Sequence, residues 1–444
     1  MAAVDAQGSG RRRRFGLGEP FSRRATLVWA LIVGVLLVAG ALSMFDRLAN
    51  GLGMAGATNA VPWGLWVVVY IWFSGLAGGL YLISALAYLL RLERFMPVAR
   101  LALGLSVVSL AVSMIFIGLD LGSIRHSLGT VLFFHWSSPL AWEIKAYMFF
   151  MAVAVVQFVL VLWNDRRGKL AEGAGADAVD ALRRRGNVNL AIRVLAGVGV
   201  ATSFVGPPGG TGMFFAAVKT RGLWEGGITS VLFYVMAVVT AAAFLIVAYR
   251  LLARLRGARP DARTLAGLAG VLAASLFALA FCVFFQVAPA LLSGNPDTVL
   301  AVQTMVAGPL APLFWIGEVG VGMVLPAVLL AVGALRSREA RDGGAWAVGA
   351  SIAALLGVLA LRYVLVVAGF SVPLLAGMPT PAYVPTSGEL LVALFVLGLA
   401  VGAYGLAVRL LPLERVGAAE GAPVEEAVYS GAVASREVRD GSAA

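Results

Sequence analysis

The segment DLGSIRHSLGTVLFFHWSSPLAWEIK, residues 120–145, concentrates ionisable side chains in a chain that is otherwise apolar. It holds both histidines of the protein, two acidic residues and two basic ones: Asp120, Arg125, His126, His135, Glu143 and Lys145. Carboxylates and imidazoles transfer protons near neutral pH, and His and Arg donate hydrogen bonds to acceptor oxygens. The segment therefore predicts a polar site, although each of these residues would also suit the headgroup level of a membrane or a loop.

Further ionisable residues lie inside or beside apolar stretches, at Glu318, Arg362 and Glu389, and Tyr383 directly precedes the last of these stretches. A charged residue within a membrane span is costly and usually faces a cavity or a partner. A structural ion pair involving Glu318 or Arg362 is the alternative to a functional role. Tyr383 and Trp66 suit either a binding site or the aromatic belt at a membrane surface.

The histidine and cysteine counts restrict the redox chemistry that this chain can carry. Cys282 is the only cysteine, so a Cys-ligated iron–sulfur cluster within the chain is excluded. A membrane haem held by two imidazoles needs histidines inside helices, whereas both histidines here fall in one predicted loop. No metal-ligand spacing or phosphate-binding glycine loop is found. We therefore expect no haem, metal or iron–sulfur cluster in this chain.

Composition identifies the class of protein that must position these residues. Of the 444 residues, 60% are apolar and 13% are charged, whereas soluble domains carry about a quarter charged residues. The net charge of +11 arises from arginines in short loops between apolar stretches, which favours a membrane protein over a nucleic-acid-binding protein.

Ten apolar stretches reach the roughly 20 residues that a membrane-spanning helix needs, so the expected fold is an all-α, polytopic bundle of about ten transmembrane helices. The predicted spans are 25–45, 63–90, 97–119, 139–163, 188–207, 227–250, 264–292, 310–334, 345–369 and 387–411. The sequence VGPPGG, residues 205–210, is expected to end the fifth helix.

Most of the 34 Lys and Arg residues fall on the side of the N-terminus, so the positive-inside rule predicts that both termini are cytoplasmic. Residues 1–24 are read as a basic cytoplasmic N-terminus, 25–412 as the transmembrane domain and 413–444 as a disordered cytoplasmic tail. A twin-arginine-like SRR at Ser22 leaves cleavage of the first helix open, and a retained helix is favoured. In this orientation the ionisable residues converge on the outer half of the membrane, and Arg193 lies toward the cytoplasm.

A quinone suits such a site, because its carbonyl oxygens need His, Arg, Tyr or Trp donors and its redox chemistry needs groups that pass protons. Candidate quinone-pocket residues are Arg125, His126, His135, Trp66, Lys145, Tyr383 and Arg362. Candidate proton-handling residues are Asp120, Glu143 and Glu318. A secondary transporter is a competing hypothesis, but VGPPGG has no counterpart five helices later, as a pair of repeats would require.

Five segments, in order, resemble the NrfD/PsrC (polysulfide reductase) family of integral membrane subunits. They are NAVPWGLWVVVYIWFSGLAGGLYLISALAYLL, GLDLGSIRHS with FHWSSPLAWEIKAYMFF, GGTGMFFAAVKTRGLWEGGITSVLFYVMAVVTAAAF, PLFWIGEVGVGMVLP and YVPTSGEL. The match covers residues 60–410, and ten spans are similar to the longer, HybB-like branch. The sequence SIRHS departs from the family pattern, which leaves open which of Arg125, His126 and His135 contacts the quinone.

The resemblance implies a haem-free membrane anchor subunit of a respiratory oxidoreductase complex in a bacterial or archaeal cell membrane. Such subunits bind menaquinone or ubiquinone near the outer face. They exchange electrons with a four-cluster, ferredoxin-like iron–sulfur subunit that serves a molybdopterin or nickel–iron catalytic subunit. Coupling to proton translocation is left open. Within the same fold, the alternative is a passive structural anchor with different partners, including the related subunits of an alternative complex III-type assembly.

Overall fold

The computed structural model describes residues 21–411 and 413, except 124–128, 130–131, 134–135, 172–177, 259, 337–342, 374–377 and 379. This part of the chain is a polytopic helical bundle and contains no β-strand. The bounds of its twelve α-helices, in chain order, are α1 Arg23–Asn50, α2 Leu65–Tyr88, α3 Met96–Asp120, α4 Pro139–Ala171, α5 Ala178–Ser203, α6 Gly209–Ala216, α7 Gly227–Leu255, α8 Ala262–Leu291, α9 Pro296–Val306, α10 Leu325–Arg336, α11 Gly343–Gly369 and α12 Ser387–Leu410.

Within these residues, nine helical segments are long and apolar enough to cross a membrane. All ten predicted spans correspond to helices. The apolar part of α5, Val188–Ser203, is shorter than the other nine. Two short helices, α6 and α9, were not predicted, because eight or eleven residues between turn signals do not reach the length of a span.

The bundle is built around α2, which packs against α3 and α7. Its side chains are buried on every face, including Trp66, Tyr70 and Tyr81. By contrast, α1 packs against α12 at the periphery and exposes apolar side chains such as Leu31, Val38 and Leu42. A buried helix that is apolar on every side belongs to the core of a membrane bundle. A peripheral helix that exposes apolar side chains is suited to contact with lipid.

Residues Leu313–Val324 form a π-helical segment that continues directly into α10. This segment packs against α11 so closely that a Cβ on Gly357 would lie 1.8 Å from the Cα of Gly322. Small residues at helix contacts let backbones approach within membranes. Glu318 lies in the middle of the π-helical segment, a type of local geometry that is frequent at functional sites.

The chain leaves α5 just before the PPGG sequence, as the sequence predicts, and the two glycines of PPGG start the short helix α6, which was not predicted. Aromatic rings then hold α6 in place. Phe215 of α6 contacts Trp63, Trp224 and Phe233, with ring centres 4.9–5.4 Å apart. Trp224 is fully buried, and its indole N–H donates to the Leu365 carbonyl at 2.8 Å. This packing places the start of α6 against α2 and α4.

Candidate functional site

Four polar side chains from three helices form a buried hydrogen-bonded chain. Thr211 Oγ1 of α6 donates to Glu143 Oε1 of α4 at 2.8 Å. The Tyr147 hydroxyl, one turn further along α4, lies 2.5 Å from Thr211 Oγ1 and 2.5 Å from Ser74 Oγ of α2. All four side chains are at most 2% exposed. A polar chain at this depth rigidifies the site where the three helices meet.

The donor directions in this chain follow from the number of hydroxyl protons. Because the one proton of Thr211 is given to Glu143, Thr211 must accept from Tyr147. The phenol of Tyr147 then accepts from Ser74. Tyr147 is also hydrogen-bonded to Glu143 directly. The hydroxyl groups therefore converge on the Glu143 carboxyl group, an arrangement that can pass a proton to a carboxylate.

Arg362 of α11 places a cation beside this chain. Its side chain is 0% exposed, and a Cβ added to Gly75 of α2 would lie 2.3 Å from its Nη2. The guanidinium interacts electrostatically with Tyr147, and none of its three nitrogens has a hydrogen-bond partner among the described residues. Buried ionic groups are normally paired or bound to a ligand, so five donor hydrogens here are available to an acceptor.

Glu143 presents the complementary group. Its Oε1 accepts from Thr211, while its buried Oε2 has no hydrogen-bond partner within the described part of the chain. A donor-rich cation and an acceptor-rich carboxyl group thus flank the same hydroxyl chain. Such a pair matches a ligand that carries both acceptor and donor oxygens.

Asp120, at the end of α3, lies on the same side of this network. Tyr70 of α2 interacts electrostatically with both Asp120 and Glu143. Asp120 also interacts with Arg47 of α1 and with Glu389 of α12. Asp120 is partly buried, whereas Tyr70, Arg47 and Glu389 are buried. Asp120 and Glu143 therefore both lie within electrostatic range of Tyr70, and a shared role in one site stays a prediction.

Hydrogen bonds connect the start of α2 with the start of α12 through Glu389, Tyr383 and Trp66. The Thr386 backbone N–H donates to Glu389 Oε2 at 2.9 Å, which completes a capping box at the start of α12. The Tyr383 hydroxyl donates to the same oxygen at 3.0 Å and accepts from the Leu65 N–H at 2.6 Å. The Trp66 indole donates to the Glu389 carbonyl at 3.1 Å. These contacts give Tyr383 and Trp66 protein partners of their own.

Burial is the largest cause that raises the pKa of the Tyr383 phenol, and the nearby Glu389 carboxylate raises it further. The Leu65 N–H, which donates to the phenol oxygen, opposes this shift. Tyr383 therefore keeps its proton at neutral pH and acts as a hydrogen-bond donor to Glu389.

The remaining predicted site residues are placed less centrally. Glu318 is 3% exposed and lies in the π-helical segment. Lys145 is partly buried, two residues after Glu143. Arg125, His126 and His135 lie outside the described residues, and their role in the site stays a prediction. Among the described residues, no three His, Cys, Asp or Glu side chains are grouped as a metal site would need.

The structure adds residues that sequence reasoning missed: Arg47, Tyr70, Ser74, Tyr147 and Thr211. Hydroxyl groups inside an apolar helix carry no signal of their own, because Ser and Thr often bond to the carbonyl four residues earlier. Arg47, by contrast, could have been singled out from the sequence as a candidate site residue. It is basic and lies near the predicted outer end of a span, where Lys and Arg are scarce.

The fold and the buried charges define a multi-pass membrane protein with a polar site inside its helical bundle. The sequence profile of the family described as "Polysulphide reductase, NrfD" matches residues 53–373. The chain therefore belongs to the NrfD family, as its motifs predict.

Three relatives illustrate the range of this family. A selenate reductase subunit of Mesobacillus selenatarsenatis is 25% identical over 86% of this chain and 93% of its own. The Hdr-like menaquinol oxidoreductase integral membrane subunit of Archaeoglobus fulgidus is 23% identical over 65% of this chain and 66% of its own. A putative dimethyl sulfoxide reductase membrane subunit of Halobacterium salinarum is 26% identical over 87% of this chain and 91% of its own.

Proposed function

We propose that this chain is the quinone-reactive, haem-free membrane anchor subunit of a respiratory oxidoreductase complex in the cell membrane. One observation carries the proposal: in a member of the NrfD family, a buried hydroxyl chain is flanked by the Arg362 guanidinium and a Glu143 oxygen, neither of which has a hydrogen-bond partner among the described residues. A relative named as a menaquinol oxidoreductase subunit supports menaquinone as the quinone, and ubiquinone is the alternative.

The side chains fit a quinone by their hydrogen-bonding chemistry. A quinone accepts two electrons and two protons to form a quinol, so its oxygens change from acceptors to donors. Arg362 supplies donors to a carbonyl oxygen, and Glu143 Oε2 accepts from a hydroxyl group. Arg125, His126, His135, Trp66, Lys145 and Tyr383 remain predicted contacts of the same pocket.

Proton handling is assigned to the acidic residues of the site. Glu143 exchanges protons with the chain through Thr211 and Tyr147 to Ser74. Asp120 is the second carboxyl group at the same end of the bundle, and Glu318 is the third predicted group, on the π-helical segment.

The partners belong to the proposal as well. With no Cys-ligated cluster possible in this chain, electrons must come from or go to another subunit. We assign that role to a four-cluster, ferredoxin-like iron–sulfur subunit serving a molybdopterin or nickel–iron catalytic subunit. The relatives named as subunits of selenate and dimethyl sulfoxide reductases support such an assembly. Co-purification of iron–sulfur and catalytic subunits with this chain tests it.

Neutralising both central carboxyl groups tests the quinone assignment. In the intact complex, Asp120→Asn combined with Glu143→Gln should lower turnover of a soluble naphthoquinol analogue by about 100-fold, the scale of positioned acid–base catalysis. Glu225→Gln, an exposed residue outside the site, is the matched control and should retain turnover. Undiminished turnover in the double variant, at normal abundance in the membrane, would refute the proton-handling assignment.

A further inference from the structure

Arg47 is a buried arginine that the quinone mechanism does not use directly. It lies in the last turn of α1, a helix that otherwise faces the periphery, and is 1% exposed. Its Nε and Nη2 donate to the Leu119 carbonyl at 2.9 and 2.6 Å, and Nη2 also donates to the Leu121 carbonyl at 2.7 Å. The guanidinium thus satisfies carbonyls at the C-terminal end of α3, which no helical N–H can reach.

Asp120 is the residue between these two carbonyls, and its charge environment depends on the same arginine. The described groups that interact with it are the Arg47 cation, the Glu389 carboxyl group and the Tyr70 phenol. Arg47 attracts a carboxylate at Asp120, whereas Glu389 repels it. The guanidinium also lies 5.7 Å from the centre of the Trp66 ring, whose indole binds the Glu389 backbone. Arg47 therefore contacts the end of α3 and the start of α2.

The helix that carries Arg47 lies outside the family match, which begins at residue 53. A helix that only contacts lipid needs only apolar residues. Burying an arginine in such a helix is costly, and buried charges within membrane spans are usually paired or functional. The cost is offset here by three hydrogen bonds and by the opposite charge of Asp120.

We propose that Arg47 is a positioning residue for Asp120: the peripheral helix α1 supplies the counter-charge of this carboxyl group and holds the end of α3 in place. The inference rests on the proposed function, in which Asp120 handles protons of the quinone. It adds that a helix outside the family's matched region controls the proton-handling site. If α1 served only to anchor the chain in the membrane, replacing Arg47 would not affect proton handling at Asp120.

A double-mutant cycle in the intact complex separates these two roles. The variants are Arg47→Gln, Asp120→Asn and their combination, measured for kcat and KM with a soluble naphthoquinol analogue. We expect Arg47→Gln to lower kcat by about tenfold with KM changed less than about threefold, because binding groups elsewhere are kept. In the Asp120→Asn background the same change should lower kcat by less than about twofold, since residues that act through one another are not additive.

Hydrogen exchange gives a second readout that does not depend on activity. The backbone amides of residues 119–123 should exchange about tenfold faster in Arg47→Gln, because the end of α3 has lost its cap. Arg409→Gln is the matched control. Arg409 also donates to a backbone carbonyl and stacks on aromatic rings, but at the opposite end of the bundle, so it should change neither readout.

Arg47→Lys covers the case in which Arg47→Gln fails to accumulate in the membrane. Lysine keeps the charge but replaces the guanidinium fork with a point charge, so it should give intermediate exchange and a kcat reduced by about threefold. Independent, multiplicative effects of Arg47→Gln and Asp120→Asn on kcat would overturn the proposal, as would unchanged exchange at residues 119–123. If wild-type protein shows no quinol turnover, the proposed function fails, and hydrogen exchange alone decides whether Arg47 holds α3.

Discussion

Single side chains decide what this site can do, because each hydroxyl in the buried chain has one proton to give. Because Thr211 donates to Glu143, its bond with Tyr147 must be accepted from the phenol, and Tyr147 is in turn bonded to Ser74. Arg362 adds a fixed positive charge in a region of low polarity, where its interaction with a nearby anion is strong. The site therefore combines a chain of hydroxyl groups that ends at a carboxyl group with a fixed cation.

Removing the hydroxyl of Thr211 should interrupt this path. Thr211→Val keeps the shape of the side chain but removes the hydroxyl that contacts both Glu143 Oε1 and the Tyr147 hydroxyl. We expect naphthoquinol turnover to fall by about tenfold at unchanged membrane abundance. Thr211→Ser restores the hydroxyl and should bring turnover back to within about threefold of wild type. Equal turnover in the Val and Ser variants would mean that protons reach Glu143 by another route.

Helix contacts hold these side chains in register, and one of them joins α2 to α11. Gly75 is the position where the Arg362 guanidinium lies directly against the α2 backbone. Any Cβ at this position would meet Nη2 at 2.3 Å, so the guanidinium would have to move. The identity of residue 75 thus controls where the cation of the site lies.

Gly75→Ala should displace Arg362 and weaken the site. Overpacking a filled interior typically costs about 1–3 kcal/mol, which should appear as a lower thermal unfolding temperature together with reduced naphthoquinol turnover. Gly270→Ala in α8 is the matched control, because a Cβ there meets no atom within 4 Å. It should leave unfolding unchanged or slightly raise the temperature, since Ala favours helix over Gly. Wild-type behaviour of Gly75→Ala would show that Arg362 has room to shift without consequence.

The two ends of the bundle have different chemistry. One end gathers the buried acidic residues and Arg47. At the other end, arginines lie over aromatic rings: Arg409 is 4.0 Å from the Trp29 ring centre, and Arg256 is 5.2 Å from that of Phe21. Arginine–aromatic contacts and a basic surface suit the side that faces anionic lipid headgroups. We therefore propose that this second end is cytoplasmic, together with both termini.

Cysteine labelling tests that orientation, because the chain contains only Cys282, which is buried. In a Cys282→Ala background, a membrane-impermeant maleimide should label Gly53→Cys in intact cells, since this exposed position follows α1 at the acidic end. It should label Ala258→Cys, exposed after α7 at the arginine-rich end, only after lysis. The reverse pattern would invert the predicted topology.

Much of the fold was predictable because membrane spans follow from length and apolar composition alone. The break at Pro207 and Pro208 was predictable from the same local rules, whereas α6 and α9 were too short to be recognised. Within the site, Asp120, Glu143 and Arg362 stood out because charges are rare in apolar stretches. Ser74, Tyr147 and Thr211 did not, since nothing in a single sequence tells which hydroxyl groups meet across helices.

The sequence by itself determined the class of protein, the order of the spans and the short list of costly charges, because each of these depends on residues close together in the chain. Only the tertiary structure decided which of them meet: Glu143 with Thr211, Arg362 with Gly75, and Arg47 with the end of α3. Those contacts join residues far apart in the chain, and packing of the helices in the bundle is what sets them.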